Sequence, residues 1–156
     1  MSRKSAVSIL GVIIIFSLFS FFSFAKTNSL EGERVVTNDG VVQGTLEPRL
    51  EIEKVGKRDY KAIFTVKNQT ERSQTIIFRS GQKFDYILYR NNNKVTQYSE
   101  GKFFTQVYQE VVLKQGEELQ FTEVFANLEK GQYELIFWLA DRNWPNVKAK
   151  AAFIVE

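Results

Sequence analysis

Tyr60-Lys61-Ala62-Ile63-Phe64-Thr65-Val66-Lys67 is the stretch whose reading decides the fold. Tyr60, Ala62, Phe64 and Val66 alternate with Lys61, Ile63, Thr65 and Lys67, the period of two of a strand with one face in a core. The same period recurs on both sides. Phe84, Tyr86 and Leu88 alternate with Asp85, Ile87 and Tyr89. Tyr133, Leu135, Phe137 and Leu139 share one face, and Ala149, Ala151, Phe153 and Val155 share another. Shorter strands are expected at Leu50–Val55, Gln74–Phe78, Val95–Tyr98, Gln109–Leu113 and Glu118–Phe125. Turn residues separate these runs, among them Asn68-Gln69-Thr70, Arg79-Ser80-Gly81, Asn91-Asn92-Asn93, Gln115-Gly116-Glu117 and Lys130-Gly131. Many short alternating strands at this spacing make an all-β domain, a sandwich or a barrel. No stretch after Ala25 carries a helical apolar stripe. Phe103–Tyr108 is the one place where a single helical turn is expected.

Composition then removes whole classes of chemistry. The 156 residues hold no cysteine and no histidine. Disulfides, thiol nucleophiles and cysteine-ligated metals are excluded, and the commonest general base and metal ligand are missing. An enzyme would have to work with carboxylates, lysine, tyrosine or serine. The glycines form no phosphate-cradling pattern. No metal or cofactor is expected.

The net charge of +3 comes from 21 Lys+Arg against 18 Asp+Glu. Arg3 and Lys4 precede a charge-free run from Ser5 to Ala25, and without them the balance is nearly even. A neutral domain has no electrostatic reason to seek nucleic acid. The basic pair, the apolar run and the small Ser23 and Ala25 match a secretory signal cut after Ala25. The run is also long enough, at about 1.5 Å per helical residue, to cross a bilayer as an uncleaved anchor. Residues 1–25 are therefore read as a signal peptide or anchor helix. Either way the chain is expected to be exported, and to meet the membrane only through this segment. Residues 26–48 read as a polar linker or loosely docked segment, within which Val35–Val42 could close a hairpin through Asp39-Gly40. Residues 49–156 read as the folded domain.

Several side chains invite a functional reading. Glu51 and Glu53 share a strand face, which suits a weak cation site or a carboxylate pair, although a solvated face is the plainer reading. Asn68-Gln69-Thr70 fits a glycosylation sequon and equally a tight turn. Tyr86, Tyr89, Tyr98, Tyr108, Trp138 and Trp144 suggest a sugar-stacking platform, but Tyr86 and Trp138 lie in strongly apolar strands and read as core or sheet surface. Trp144, between Asn143 and Pro145, either folds back as a lid on the domain or anchors a partner, and the lid is favoured.

The order and spacing of several segments resemble the BsuPI family, the intracellular proteinase inhibitor domain. They are Phe64-Thr65-Val66-Lys67-Asn68-Gln69-Thr70, then Ile77-Phe78-Arg79-Ser80-Gly81-Gln82-Lys83-Phe84-Asp85-Tyr86. Tyr98-Ser99-Glu100-Gly101-Lys102-Phe103-Phe104-Thr105-Gln106, Leu113-Lys114-Gln115-Gly116-Glu117 and Gly131-Gln132-Tyr133 follow. Where the family carries tryptophans before the serine, this chain has Thr96 and Tyr98. The resemblance implies an immunoglobulin-like antiparallel β-sandwich and a non-enzymatic inhibitor of serine proteases. Three turns are then candidates for the partner contact: Arg79–Phe84, with Arg79, Ser80, Gly81, Gln82 and Phe84; Ser99–Thr105, with Ser99, Lys102 and Phe103; and Arg142–Asn146, with Arg142 and Trp144. Arg79, Lys102 and Arg142 suit a trypsin-like pocket; Phe84, Phe103 and Phe104 suit a subtilisin-like one. Turn chemistry alone also accounts for the first of the three, with Gly81 supplying the bend and Asp85 capping nearby amides, and this is the plainer reading. The alternative function is a cell-envelope module that binds another surface protein or a cell-wall glycan.

Overall fold

The computed structural model describes the backbone of residues 34–37 and all of residues 45–156. The expected signal or anchor segment and the Asp39-Gly40 turn lie outside the described residues. The described residues hold ten strands and no helix: β1 Arg34–Thr37, β2 Leu46–Lys54, β3 Tyr60–Asn68, β4 Gln74–Phe78 and β5 Phe84–Arg90, then β6 Asn93–Gln97, β7 Gln109–Leu113, β8 Glu118–Phe125, β9 Gly131–Leu139 and β10 Lys148–Val155. All pairings are antiparallel. One sheet runs β1-β2-β3-β8, a second runs β10-β9-β5-β6, and β4 pairs with β7 alone.

The two four-stranded sheets face each other because their alternating apolar residues point to a common interior. Phe64 of β3 stacks on Phe137 of β9 at 4.7 Å, Tyr60 on Phe153 of β10 at 4.8 Å, and Tyr86 of β5 meets Phe125 of β8 edge-on at 5.2 Å. The Tyr60 hydroxyl also donates to the carbonyl of Ile154 at 3.0 Å, tying β3 to β10. Phe64, Phe78 and Phe137 are fully buried, and truncating any one of them to alanine would cost about 3–5 kcal/mol. Asn91 and Asn92, at φ 48° and 66°, make the two-residue turn between β5 and β6. Two consecutive positive φ values define the turn whose twist suits a hairpin, and asparagine tolerates them.

The structure corrects the sequence reading in two places. Strand β2 begins at Leu46, inside the stretch read as a linker, and runs through Pro48. Proline fits there because β1 pairs with β2 only over Leu50–Glu53, so the missing N–H lies on an uncovered length of edge among the described residues. Arg34–Thr37 pairs with β2. Phe103–Tyr108 has no helical turn. It is an irregular connection between β6 and β7, with Val107 N–H bonded to the carbonyl of Thr105 at 3.0 Å.

Candidate functional site

The three candidate turns meet at one end of the domain, and the strand register explains why. Phe84 stands opposite Leu139, and Phe78 opposite Gln109. The start of β5 is therefore beside the end of β9, and the end of β4 beside the start of β7. Gly81 N–H donates to the carbonyl of Thr105 at 2.8 Å, joining the first turn to the second. Gly81 is required for that approach: a β-carbon there would sit 2.9 Å from Thr105 Oγ1. Ala140 N–H donates to the carbonyl of Lys83 at 3.0 Å, joining the third turn to the first. Arg79, Ser80, Gln82, Gln106 and Arg142 line one shallow pocket of about 290 Å³ between the turns.

Two buried aspartates hold these turns in shape. Asp85, 5% exposed, accepts hydrogen bonds from Tyr86 N at 2.9 Å, Gln97 Nε2 at 2.9 Å, Ser99 N at 3.1 Å and Ser99 Oγ at 2.7 Å. The capping role expected of Asp85 is thus present, and Ser99 is a structural partner of it. Asp141, 4% exposed, accepts from Ile77 N at 2.7 Å and Asn143 N at 2.9 Å. Sequence reasoning missed Asp141. Its only local signal is Asp141-Arg142-Asn143, a pattern that permits an Asx turn.

Phe84 and Phe103, paired in the sequence reading, part company. Phe84 lies in an aromatic cluster with Tyr98 at 4.5 Å, Phe137 at 5.0 Å and Phe121 at 5.1 Å. It packs against the core and is not a loop-tip residue. Phe103 is 102% exposed. The residues beside it fold back: Lys102 Nζ rests 3.4 Å from the centre of the Tyr98 ring, and Phe104 lies 6.0 Å from the same ring. The result is a bare phenylalanine on a connection tethered by its neighbours. Leaving a phenyl ring in water forgoes roughly 1.5–3 kcal/mol of burial.

Trp144 folds back, as favoured from the sequence. It is half-buried against the core, and its indole N–H donates to the carbonyl of Thr75 at 3.2 Å. It also walls a cleft of about 300 Å³ with Leu46 and Pro48. The aromatic platform does not form. Tyr86 points inward and Trp138 lies on the outer face of β9, because they fall on opposite phases of the strand alternation. The sequon is a structural turn. Asn68 is 0% exposed, its Nδ2 donates to the carbonyls of Arg72 and Leu113 at 2.8 Å each, and its Oδ1 accepts from Thr70 N at 2.9 Å and Thr70 Oγ1 at 2.7 Å. Glu51 is buried in mid-sheet and pairs with Arg49 at 3.0 Å, while Glu53 pairs with Lys61 at 2.5 Å, so the solvated face expected there is not observed.

The electrostatics of this end follow from burial. The Tyr86 hydroxyl is pushed up to about 12 by burial, then by the charge of Glu123, by Tyr98 and by Asp85. Burial also raises Tyr98, with Glu123 and Asp85 adding to it. Glu123, on edge strand β8, is raised by burial while Lys102 pulls it down. Among the described residues no three acidic side chains gather to hold a metal.

Among solved structures, β-glucosidase 3B from Thermotoga neapolitana in complex with glucose is similar at 14% identity and a TM-score of 0.38, over 80% of this chain and 16% of that one. The GH3 β-glucosidase of Bifidobacterium adolescentis is similar at 13% identity and 0.38, over 80% and 17%. A β-glucuronidase of Bacteroides uniformis is similar at 14% and 0.37, over 79% and 12%. This chain thus spans less than a fifth of those proteins' length. No curated protein matches it. The family model for BsuPI, intracellular proteinase inhibitor, matches residues 46–144, from the first residue of β2 to Trp144. That span contains both aspartates and the first two turns whole, with the third as far as Trp144, and the chain belongs to the BsuPI family of intracellular proteinase inhibitors.

Proposed function

We propose that this protein is a non-enzymatic inhibitor of serine proteases that works from an immunoglobulin-like sandwich, and that Phe103 is the residue it inserts into the protease. The observation that carries this reading is the full exposure of Phe103 between anchored neighbours. A protease cleft takes an extended segment, and its primary pocket takes one protruding side chain. The connection from Gly101 to Tyr108 has the required form. It has no internal ladder, yet Lys102 lies on Tyr98 and Thr105 is bound to Gly81. Little loop entropy is left to lose on binding, which is where the affinity of a preorganised inhibitor comes from. An aromatic residue at the tip suits a subtilisin- or chymotrypsin-like pocket. Lys102 is held away from such a role by its place on the ring.

Export through the Ser5–Ala25 run belongs to the same proposal, and it would place the inhibitor outside the cytoplasm despite the family's description as intracellular. The test is titration of a subtilisin-type protease with the parent protein and with Phe103→Ala and Phe103→Lys. Inhibition by the parent should be stoichiometric. It should fall about a hundredfold in Phe103→Ala, the scale set by a hot-spot side chain worth roughly 2–4 kcal/mol. Phe103→Lys should move inhibition towards a trypsin-type enzyme. Undiminished inhibition by both variants would place the contact elsewhere.

A further inference from the structure

We propose that the pocket between Arg79 and Arg142 binds a carboxylate of the protein that Phe103 engages, so that the inhibitor holds its target at two points. This rests on the inhibitor reading for the identity of the partner, but the pocket's own preference is argued from its walls.

Arg79 comes from the turn after β4 and Arg142 from the turn after β9, and both line the same pocket of about 290 Å³ with Ser80, Gln82 and Gln106. Two guanidinium groups placed on one cavity repel each other, and a cavity that keeps them there gains from an anion between them. Arg49, Lys61, Lys67, Arg90, Lys94 and Lys150 form ion pairs with Glu51, Glu53, Glu118, Glu129, Glu100 and Glu134, whereas Arg79 and Arg142 are two cations without such a pair among the described residues that share one pocket. The nearest acids in sequence and register are already engaged. Asp141 directs both carboxylate oxygens at backbone amides, and Glu110 accepts the hydroxyl of Tyr108.

The remaining walls fit an oxyanion. Gln82, Gln106 and Ser80 add neutral donors to the two planar forks, and arginine recognises a carboxylate through two parallel N–H bonds. Gln106 lies three residues from Phe103, within about 10 Å of extended chain. Because Thr105 is bonded to Gly81, the pocket and the exposed ring belong to one rim. A partner that fills both is a protein surface carrying an acidic side chain next to an apolar pocket.

The experiment uses the full chain in two arms. In the first, backbone amide shifts of Ser80, Gln82 and Gln106 are followed during titration with a capped Glu-Glu dipeptide and, separately, with inorganic phosphate. Saturable shifts with the dipeptide that vanish in the double variant Arg79→Gln/Arg142→Gln are expected. Shifts with phosphate alone would overturn the carboxylate assignment in favour of a free-anion site, and no shift with either would overturn the pocket. In the second arm, inhibition by the double variant is compared with the parent at low and high salt. A loss of about tenfold or more at low salt, shrinking at high salt, is expected of a rim charge contact. Unchanged inhibition by the double variant, with Phe103→Ala inactive, would remove the second contact and leave the inhibitor reading standing. A parent that inhibits nothing, with the dipeptide still bound, would remove the inhibitor reading and leave the carboxylate pocket.

Discussion

Asn68 offers the most demanding test of how this scaffold holds its loops. Its side chain closes four hydrogen bonds inside the protein, to Arg72 and Leu113 at 2.8 Å each on the donor side and to Thr70 at 2.9 and 2.7 Å on the acceptor side. Its backbone is used as well: Asn68 N–H donates to Glu117, and the carbonyl of Asn68 accepts from Gly116. Asn68→Ala therefore deprives two backbone groups, Leu113 O and Thr70 N, of their side-chain partner. The third, Arg72 O, keeps the Thr70 hydroxyl at 2.6 Å. At about 1–3 kcal/mol for each deprived group, the loss should be about 4 kcal/mol. With a urea dependence of about 2 kcal/mol per molar, the unfolding midpoint should drop by about 2 M. Asn68→Asp adds a sign. It keeps the acceptor side but aims a carboxylate oxygen at two carbonyls, so only the protonated acid can donate. Its folded-state pKa should be raised above the unfolded value of about 4. The stability of that variant should be greatest below pH of about 4 and be lost as the pH rises through the raised value. Urea titrations followed by tryptophan fluorescence at pH of about 4 and about 7 measure both. A midpoint for Asn68→Ala within about 0.5 M of the parent, or a pH-independent deficit for Asn68→Asp, would refute the network as a structural lock.

Other outcomes follow from the same structure. Glu123→Gln removes a carboxyl whose ionisation burial opposes, so it should melt higher than the parent at neutral pH, and the gain should shrink as the pH falls through the raised value; a thermal melt series reads this. Tyr86 carries its proton up to about pH 12 in the folded protein against 10.0 unfolded, so its contribution is intact below pH 10 and is lost as the pH rises towards 12. Melting temperatures of the parent should fall more steeply over that window than those of Tyr86→Phe. Asp85→Ala deprives the start of the Ser99–Thr105 turn of its acceptor and should cost about 2–4 kcal/mol by denaturant unfolding. If the tether sets affinity, that variant should also weaken inhibition while it is still folded. Trp144→Phe loses the bond to Thr75 and should cost about 1 kcal/mol, measured the same way.

The strands were legible because their signal is local. Period-two runs placed Gln74–Phe78, Gln109–Leu113 and Glu118–Phe125 with the bounds observed. What the sequence could not show was where pairing partners extend an element. Leu46–Pro48 looks like linker until β3 pairs with it from Val66 to Asn68. The site divided in the same way. Turn residues pointed to three loops, and the long-range register that brings them together is not written in any one of them. Phe84 and Phe103 carry the same side chain and similar turn contexts; only the packing of Tyr98, Phe121 and Phe137 around one of them separates core from tip. Asp141 is hard to single out because one aspartate in a turn is common, and its partner amide, Ile77, lies 64 residues away.

The most direct measurement is active-site titration of a subtilisin-type and a trypsin-type serine protease with the full chain, with the inhibitor's integrity followed in parallel and Phe103→Ala as the paired control. Stoichiometric inhibition of the subtilisin-type enzyme by intact protein, lost in Phe103→Ala, is the expected result. Failure of the parent protein to inhibit either enzyme, or equal inhibition by parent and variant, would contradict the claim that this sandwich inhibits by presenting Phe103.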